Sequence, residues 1–300
     1  MRASTLTART ALDSTAATGH KRFNSWQMWG ALLLVPYVLV FAVFVIYPVV
    51  YGLWVARNPE SYARLFQDPV FPRTVVNTLI FLLVGVNLKF LIALGLSGFF
   101  VQQKRWIQAL LLLFLLPWAI PSIPTILSFR FMLNPEWGLI NNTIFRLFGI
   151  DGPGWLTEPT LAFASSVLVH IWKSLPFWTL ILITGRLAIP TELYEAASVD
   201  GASRWQQFRF ITWPALATLY LTSTMLSMVW TLGDFNSVYL LTGGGPGDQT
   251  HVLATLGIRY LRIDQLDLAM ASIVMAMPLV LPLVIFMVRR LAAGEAKLAH

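Results

Sequence analysis

Pro190-Thr191-Glu192-Leu193-Tyr194-Glu195-Ala196-Ala197-Ser198-Val199-Asp200-Gly201 is a polar stretch in an otherwise apolar chain, and Ile211-Thr212-Trp213-Pro214 follows it. It separates one long apolar run, ending near Leu187, from another that starts at Pro214. Pro190 suits a first helical turn, Thr191 supplies a capping hydroxyl, and Glu192 and Glu195 favour the positive N-terminal end of a helix. Gly201 lets the chain leave that helix through a backbone angle closed to other residues. Arg204 and Arg209 follow. The reading is a short helix, a glycine bend and a second short helix outside the bilayer, with the next span beginning at Pro214. A polar loop of this length, kept at one face of a membrane protein, is a docking surface.

Composition places the chain in a membrane without any motif. Apolar residues make up 57% of its 300 residues and charged residues 12%, against about 25% charged in soluble domains. Several apolar runs exceed the roughly 20 residues a helix needs to cross the bilayer core. Cysteine is absent, which excludes a disulfide framework, a thiolate metal site and a cysteine nucleophile. The formal charge of +7 comes from scattered basic residues that flank apolar segments. They set topology and are not a nucleic-acid surface.

Six spans are predicted, at about 28–53, 75–101, 107–131, 161–187, 214–241 and 268–288, making 28–290 a transmembrane domain of an all-α polytopic protein. Residues 1–27 form an N-terminal tail, 188–213 the polar loop, and 291–300 a C-terminal tail. The apolar run from Met28 is too long for the core of a cleaved signal, so the first span is read as uncleaved. One set of segments holds Arg2, Arg9, Lys21, Arg22, Lys104, Arg105, Arg186, Arg204, Arg209, Arg289, Arg290 and Lys297; the alternate set holds Arg57, Arg64, Arg73, Arg146, Arg259 and Arg262. The positive-inside rule then puts both termini and the Glu195 loop in the cytoplasm.

With these residues in place, a family resemblance emerges. Glu195-Ala196-Ala197, three residues, Gly201, nine residues, Ile211, two residues and Pro214 resembles the "EAA" loop of permease subunits in binding-protein-dependent ABC importers. Trp213 departs from the leucine more common there, and it is again large and apolar. Pro36–Val55, Ser61–Phe81, Ile171–Leu187 and Leu240–Pro246 also resemble the sugar-importer branch, of maltose and glycerol-phosphate type. The resemblance covers most of residues 30–290. It implies the type I importer permease fold in a bacterial inner membrane. It also implies a second permease, two ATPase subunits that bind ATP and Mg, and an external solute-binding protein, with no cofactor on this chain. By the same implication, Glu195, Ala196, Ala197, Asp200, Gly201 and Arg204 couple the chain to the ATPase, and the substrate is a sugar, polyol or sugar derivative.

The chemistry inventory is otherwise sparse, and no catalytic or metal-binding set emerges. Thr242-Gly243-Gly244-Gly245-Pro246-Gly247 lacks the Gly-Lys-Ser/Thr ending of a phosphate loop. Asp248 would repel phosphate, and the run reads as a flexible exit from the fifth span. His20, His170, His251 and His300 show no metal-ligand spacing. Asn141-Asn142-Thr143 satisfies the glycosylation pattern, which has no meaning in a bacterial inner membrane. Trp137 and Trp155, in the long segment 134–159, either receive a partner protein or anchor the interface.

Polar groups inside spans are costly and need a reason. Asn87 and Lys89 fall in the second span. His170 and Lys173 fall in the fourth, three apart and so on one face, beside Trp172. Asp234 and Asn236 fall in the fifth, with Trp230 four residues before Asp234. The functional reading is a polar, aromatic-lined cavity suited to a sugar. The alternative is a buried pair of Asp234 with Lys173 or Lys89 that only fixes helix packing. Pro117, Pro121 and Pro124 predict a kinked third span that borders the pathway or serves packing alone. An ion-coupled carrier using Asp234 with a lysine is the competing function, and a non-transporting scaffold the third.

Overall fold

The computed structural model describes residues 25–102 and 104–298, and these are helices, turns and loops with no strand among them. In chain order the helices are α1 (Met28–Val55), α2 (Pro59–Gln67), α3 (Val70–Phe100), α4 (Arg105–Ala119) and α5 (Ser122–Met132). After α6 (Leu139–Phe148) come α7 (Pro159–Leu187), α8 (Thr191–Val199), α9 (Arg204–Leu232) and α10 (Asn236–Thr242). The chain closes with α11 (Leu253–Arg262), α12 (Leu266–Val274) and α13 (Met277–Leu298). Among the described residues, five segments are long and apolar enough to cross a membrane: α1, α3, α7, α9 and Leu266–Phe286; α4 with α5 makes a sixth if the bent pair is one span.

Two compact units divide at Gly52/Leu53. α1 carries no charged residue between Met28 and Val55. A helix that is apolar all round is suited to lipid or to a protein interior. The second unit holds the core. Phe90 of α3 packs against Trp178 of α7 and Tyr220 of α9, with ring centroids 5.1 and 5.5 Å apart. Val86, Ala93 and Leu182 complete that cluster. A second cluster joins Leu65 and Phe71 to Leu253, Leu256 and Tyr260 of α11 and to Leu268 of α12. At Gly185 the closeness of α7 and α9 is extreme, because a Cβ there would meet Leu219 and fall 2.7 Å from Leu216 Cδ2.

Two predicted spans are broken, and both breaks have local causes. The third bends by 94° between α4 and α5. Pro121 has no N–H to continue α4 and forces Ile120 into an extended conformation, φ −74° and ψ 140°. Pro124 is tolerated because it sits in the first turn of α5. The fifth span, expected to run to Leu241, stops at Leu232, and Asp234 then caps α10 by accepting the Ser237 N–H at 3.1 Å.

Three further expectations change. The second loop helix is not separate: the chain is helical without interruption from Arg204 to Leu232. A π-helical turn at Phe208–Thr212 precedes Pro214 and gives its ring room inside the helix. The Gly-rich run after α10 is not a flexible exit. Thr250 Oγ1 donates to Gly245 O at 2.7 Å, and Asn77 Nδ2 donates to Gln249 O at 2.8 Å and His251 O at 3.0 Å. Gly244, at φ 92°, lies against the His251 ring where a Cβ would overlap it. Finally, α13 continues to Leu298, since Ala-rich 291–298 is good helix sequence. The predicted tails otherwise lie outside the described residues at 1–24 and 299–300.

Candidate functional site

The two breaks face one cavity. It has a volume of about 230 Å³ and is lined by residues of α3, α5, α7, α9 and the α9–α10 junction, among them Lys89, His170, Lys173, Trp178, Trp230 and Asp234. His170 Nδ1 lies 2.6 Å from Asp234 Oδ2. A carboxylate only accepts, so Nδ1 carries the proton and Nε2 is left as an acceptor. Lys89 Nζ donates to that Nε2 at 3.3 Å and also to Ser227 Oγ at 2.7 Å. Lys89, His170 and Asp234 thus form a hydrogen-bonded relay across α3, α7 and the α9–α10 junction, with Lys89 only 1% exposed. The alternative pairing of Asp234 with a lysine is not what forms: a histidine separates the two charges. Phe81, in a π-helical turn of α3 at Phe81–Val86, packs against His170 with the rings tilted by 53° and their centroids 4.8 Å apart.

Lys173 has a different partner. Its Nζ donates to the carbonyl oxygens of Pro117 at 2.8 Å, Trp118 at 3.3 Å and Ile120 at 2.6 Å. A helix end leaves carbonyls without intrahelical donors, and here a lysine from α7 satisfies three of them. Trp230 is 56% exposed, stacks on Phe177 at 5.7 Å, and meets the cavity together with Asn236.

The polar loop is a braced helical hairpin. α8 begins at Thr191 with Pro190 before it and no side-chain cap, so Thr191 is the first helical residue and not the cap. Its exit is a Schellman turn: Ala202 N–H donates to Ala197 O at 2.9 Å and Gly201 N–H to Ser198 O at 3.1 Å. Gly201 has φ 77°. Ser203 and Gln206 cap each other's backbone at the start of α9. Tyr194 OH lies 2.9 Å from Thr212 Oγ1, and Gln207 Nε2 donates to Ser198 Oγ at 3.0 Å. These bonds tie the hairpin to the base of α9. Glu195, Ala196, Asp200, Gly201 and Arg204 are exposed and Ala197 is half-buried. Val199, Trp205 and Phe210 are large, apolar and exposed at the same loop.

The sequence model for the binding-protein-dependent transport system inner membrane component matches residues 89–294. This chain belongs to that family. It is a multi-pass inner-membrane permease of an ATP-driven importer, which sets aside the ion-coupled carrier. The trehalose/maltose transport system permease protein MalF of Thermococcus litoralis is 32% identical over 84% of this chain and 90% of its own length. The sulfoquinovosyl glycerol transport system permease protein SmoG of Agrobacterium fabrum is 32% identical over 84% and 88%. A chain of the bacterial alginate ABC transporter, solved with an alginate pentasaccharide-bound periplasmic protein, superposes with a TM-score of 0.75. That chain is 26% identical, covering 87% of this chain and 92% of the other.

Within the permease, the structure separates residues that sequence proximity had grouped. Trp172 turns away from the relay and lines a different, apolar cavity with Phe129, Leu133 and Trp155. Two helical positions from His170 is about 200° around the axis, so the pair cannot share a face. Asn87 Nδ2 donates to Leu83 O of its own helix at 2.7 Å and does not line the relay cavity. Ser227, Thr231 and Ser237, which complete the relay, escaped sequence reading. The spacing of Ser227 and Thr231, four apart on one face before Asp234, was the available signal. The paired tryptophans also divide. Trp155 Nε1 donates to Asn141 Oδ1 at 2.7 Å, while Trp137 stays 56% exposed.

Proposed function

We propose that this permease forms half of the translocation pathway for a sugar or sugar derivative, together with a second permease, two ATPase subunits and an external solute-binding protein. ATP and Mg are bound by the ATPase subunits. The observation that carries the reading is the cavity where the two broken spans meet. It combines the Lys89–His170–Asp234 relay with the rings of Trp178 and Trp230. Hydrogen-bonding groups beside aromatic faces suit a molecule with hydroxyls on one side and C–H on the other. The relatives' names support the sugar class, since they include trehalose/maltose, lactose and galactooligosaccharide permeases.

Lys89, His170, Lys173, Trp230, Asp234 and Asn236 are the substrate-pathway residues of this proposal. Glu195, Ala196, Ala197, Asp200, Gly201 and Arg204 couple to the ATPase, with both termini cytoplasmic as the Lys and Arg distribution requires. Exposed Val199, Trp205 and Phe210 give that surface apolar anchors. The test is uptake and substrate-stimulated ATP hydrolysis in the complete complex in proteoliposomes. Glu195→Ala is expected to weaken the dependence of hydrolysis on substrate. Asp234→Ala, which strips the relay of its acceptor, is expected to cut uptake at least ten-fold in a complex that still assembles. Wild-type uptake and hydrolysis in both variants would sink the assignments.

A further inference from the structure

Two short helices lead away from the relay cavity. Ser122 and Ile126 of α5, and Asn236 and Ser237 of α10, face the relay. Further along the same helices, Leu127 and Arg130 of α5 and Tyr239 and Thr242 of α10 line a second, open cavity of about 590 Å³, to which Gly243, Gly245, Gly247, Asp248 and Arg262 also contribute. Around these two cavities and their mouth the cations and carboxylates are not balanced. Lys89, Lys173, Arg130 and Arg262 have no carboxylate within 4.0 Å among the described residues. Arg130 reaches Leu240 O at 3.5 Å, and Arg262 the hydroxyl and ring face of Tyr239.

The carboxylate of each cavity is occupied. Asp234 is held by His170, and Asp248 by Arg259 at 2.8 Å and His251 at 3.4 Å. Glu136, which shares a neighbouring cavity with Arg130, is the remaining acid. Clefts lined by one sign of charge concentrate the opposite ion, and arginine is suited to planar acidic groups.

Resting on the sugar reading above, we infer that the substrate is an anionic saccharide, carrying a carboxylate, sulfonate or phosphate, with Arg130 and Arg262 at the mouth and Lys89 at the far end. The chain has no cysteine, so one introduced thiol reports local potential. In the assembled complex, Leu127→Cys or, as a second site, Leu240→Cys is treated with sulfonatoethyl and trimethylammonioethyl methanethiosulfonates. After correction for their rates with a free thiol, the anionic reagent is expected to react about ten-fold faster. Arg130→Gln with Arg262→Gln should remove most of that preference. Equal rates, or a preference untouched by the arginine changes, overturn the inference.

Uptake supplies the second arm, with glucosylglycerol and its C6 carboxylate and C6 sulfonate as probes. Faster uptake of the acids supports the proposal. Uptake of glucosylglycerol alone overturns it and leaves the sugar reading intact, whereas uptake of none of the three brings down both.

Discussion

Lys173 Nζ donates to the carbonyl oxygen of Ile120 at 2.6 Å, so an ammonium on one helix closes the open end of another. The same nitrogen reaches Pro117 O and Trp118 O, and a cation there also suits the negative end of α4. The right-angled break that borders the cavity is thereby held from α7. Lys173→Met should leave the three carbonyls unsatisfied, at a cost of about 2 kcal/mol, read as a lower thermal midpoint of the purified complex. Lys173→Arg should retain most of the midpoint. Because Asp234 pairs with His170, adding Lys173→Met to Asp234→Asn should not restore uptake. A rescued double variant would show that the two charges do pair.

Gly201 offers a cleaner test of backbone geometry. A Cβ there meets nothing within 4 Å, yet φ is 77°. Any effect of substitution is therefore conformational and not steric. Gly201→Ala should cost about 1 kcal/mol locally and lower ATPase-coupled uptake. Gly201→Asn should come closer to wild type, since Asn tolerates this region. Equal activity of Gly201→Val and Gly201→Asn would dismiss the turn as the reason for glycine.

Away from the membrane spans, Asp68 is a pH-dependent clasp. Burial acts against its charge, but the Val70 N–H, the Tyr260 hydroxyl and the Arg259 guanidinium outweigh that and hold its carboxyl below the usual range. Arg259 Nη1 and Tyr260 OH reach it at 2.9 and 2.8 Å. For a depressed carboxyl the stabilisation is present above the ordinary Asp pKa of about 4 and fades as pH falls through the folded value. Asp68→Asn should thus lower the thermal midpoint by a constant amount from about pH 8 to 5, with the gap to wild type closing below about pH 4. A gap that widens on acidification would reverse the assignment.

Much of this architecture was legible because hydrocarbon is an unforgiving solvent. Length and apolarity located the spans, and the cost of intramembrane charge drew attention to Lys89, His170, Lys173 and Asp234. The breaks were placed less well, since the chain stays apolar across Ile120 and the polar residues after Leu232 read equally as pathway lining within one span. Pro121 signalled a kink without stating its 94° size. Partners were the least legible. Arg186, read as a loop charge, reaches back to Ser97 Oγ at 2.8 Å and Leu94 O at 3.1 Å. Nothing in the order of residues shows that Asp234 prefers a histidine, or that Lys173 spends its three protons on main-chain oxygens.

The contact at Gly185 has a mechanical meaning. α9 runs from the braced hairpin at Arg204 to Leu232, one residue short of the break beside the cavity, as 29 residues, a rod about 43 Å long at 1.5 Å per residue. Leu216 and Leu219, which straddle the missing Cβ of Gly185, sit at its midpoint. The rod therefore has a fulcrum at its centre. Tilting it by about 10° carries each end about 4 Å in opposite directions, so a nudge on the hairpin arrives at Thr231 inverted in sense and nearly equal in size, and at Ser227 about two-thirds as large. Widening Gly185 would shift the bearing without touching either end.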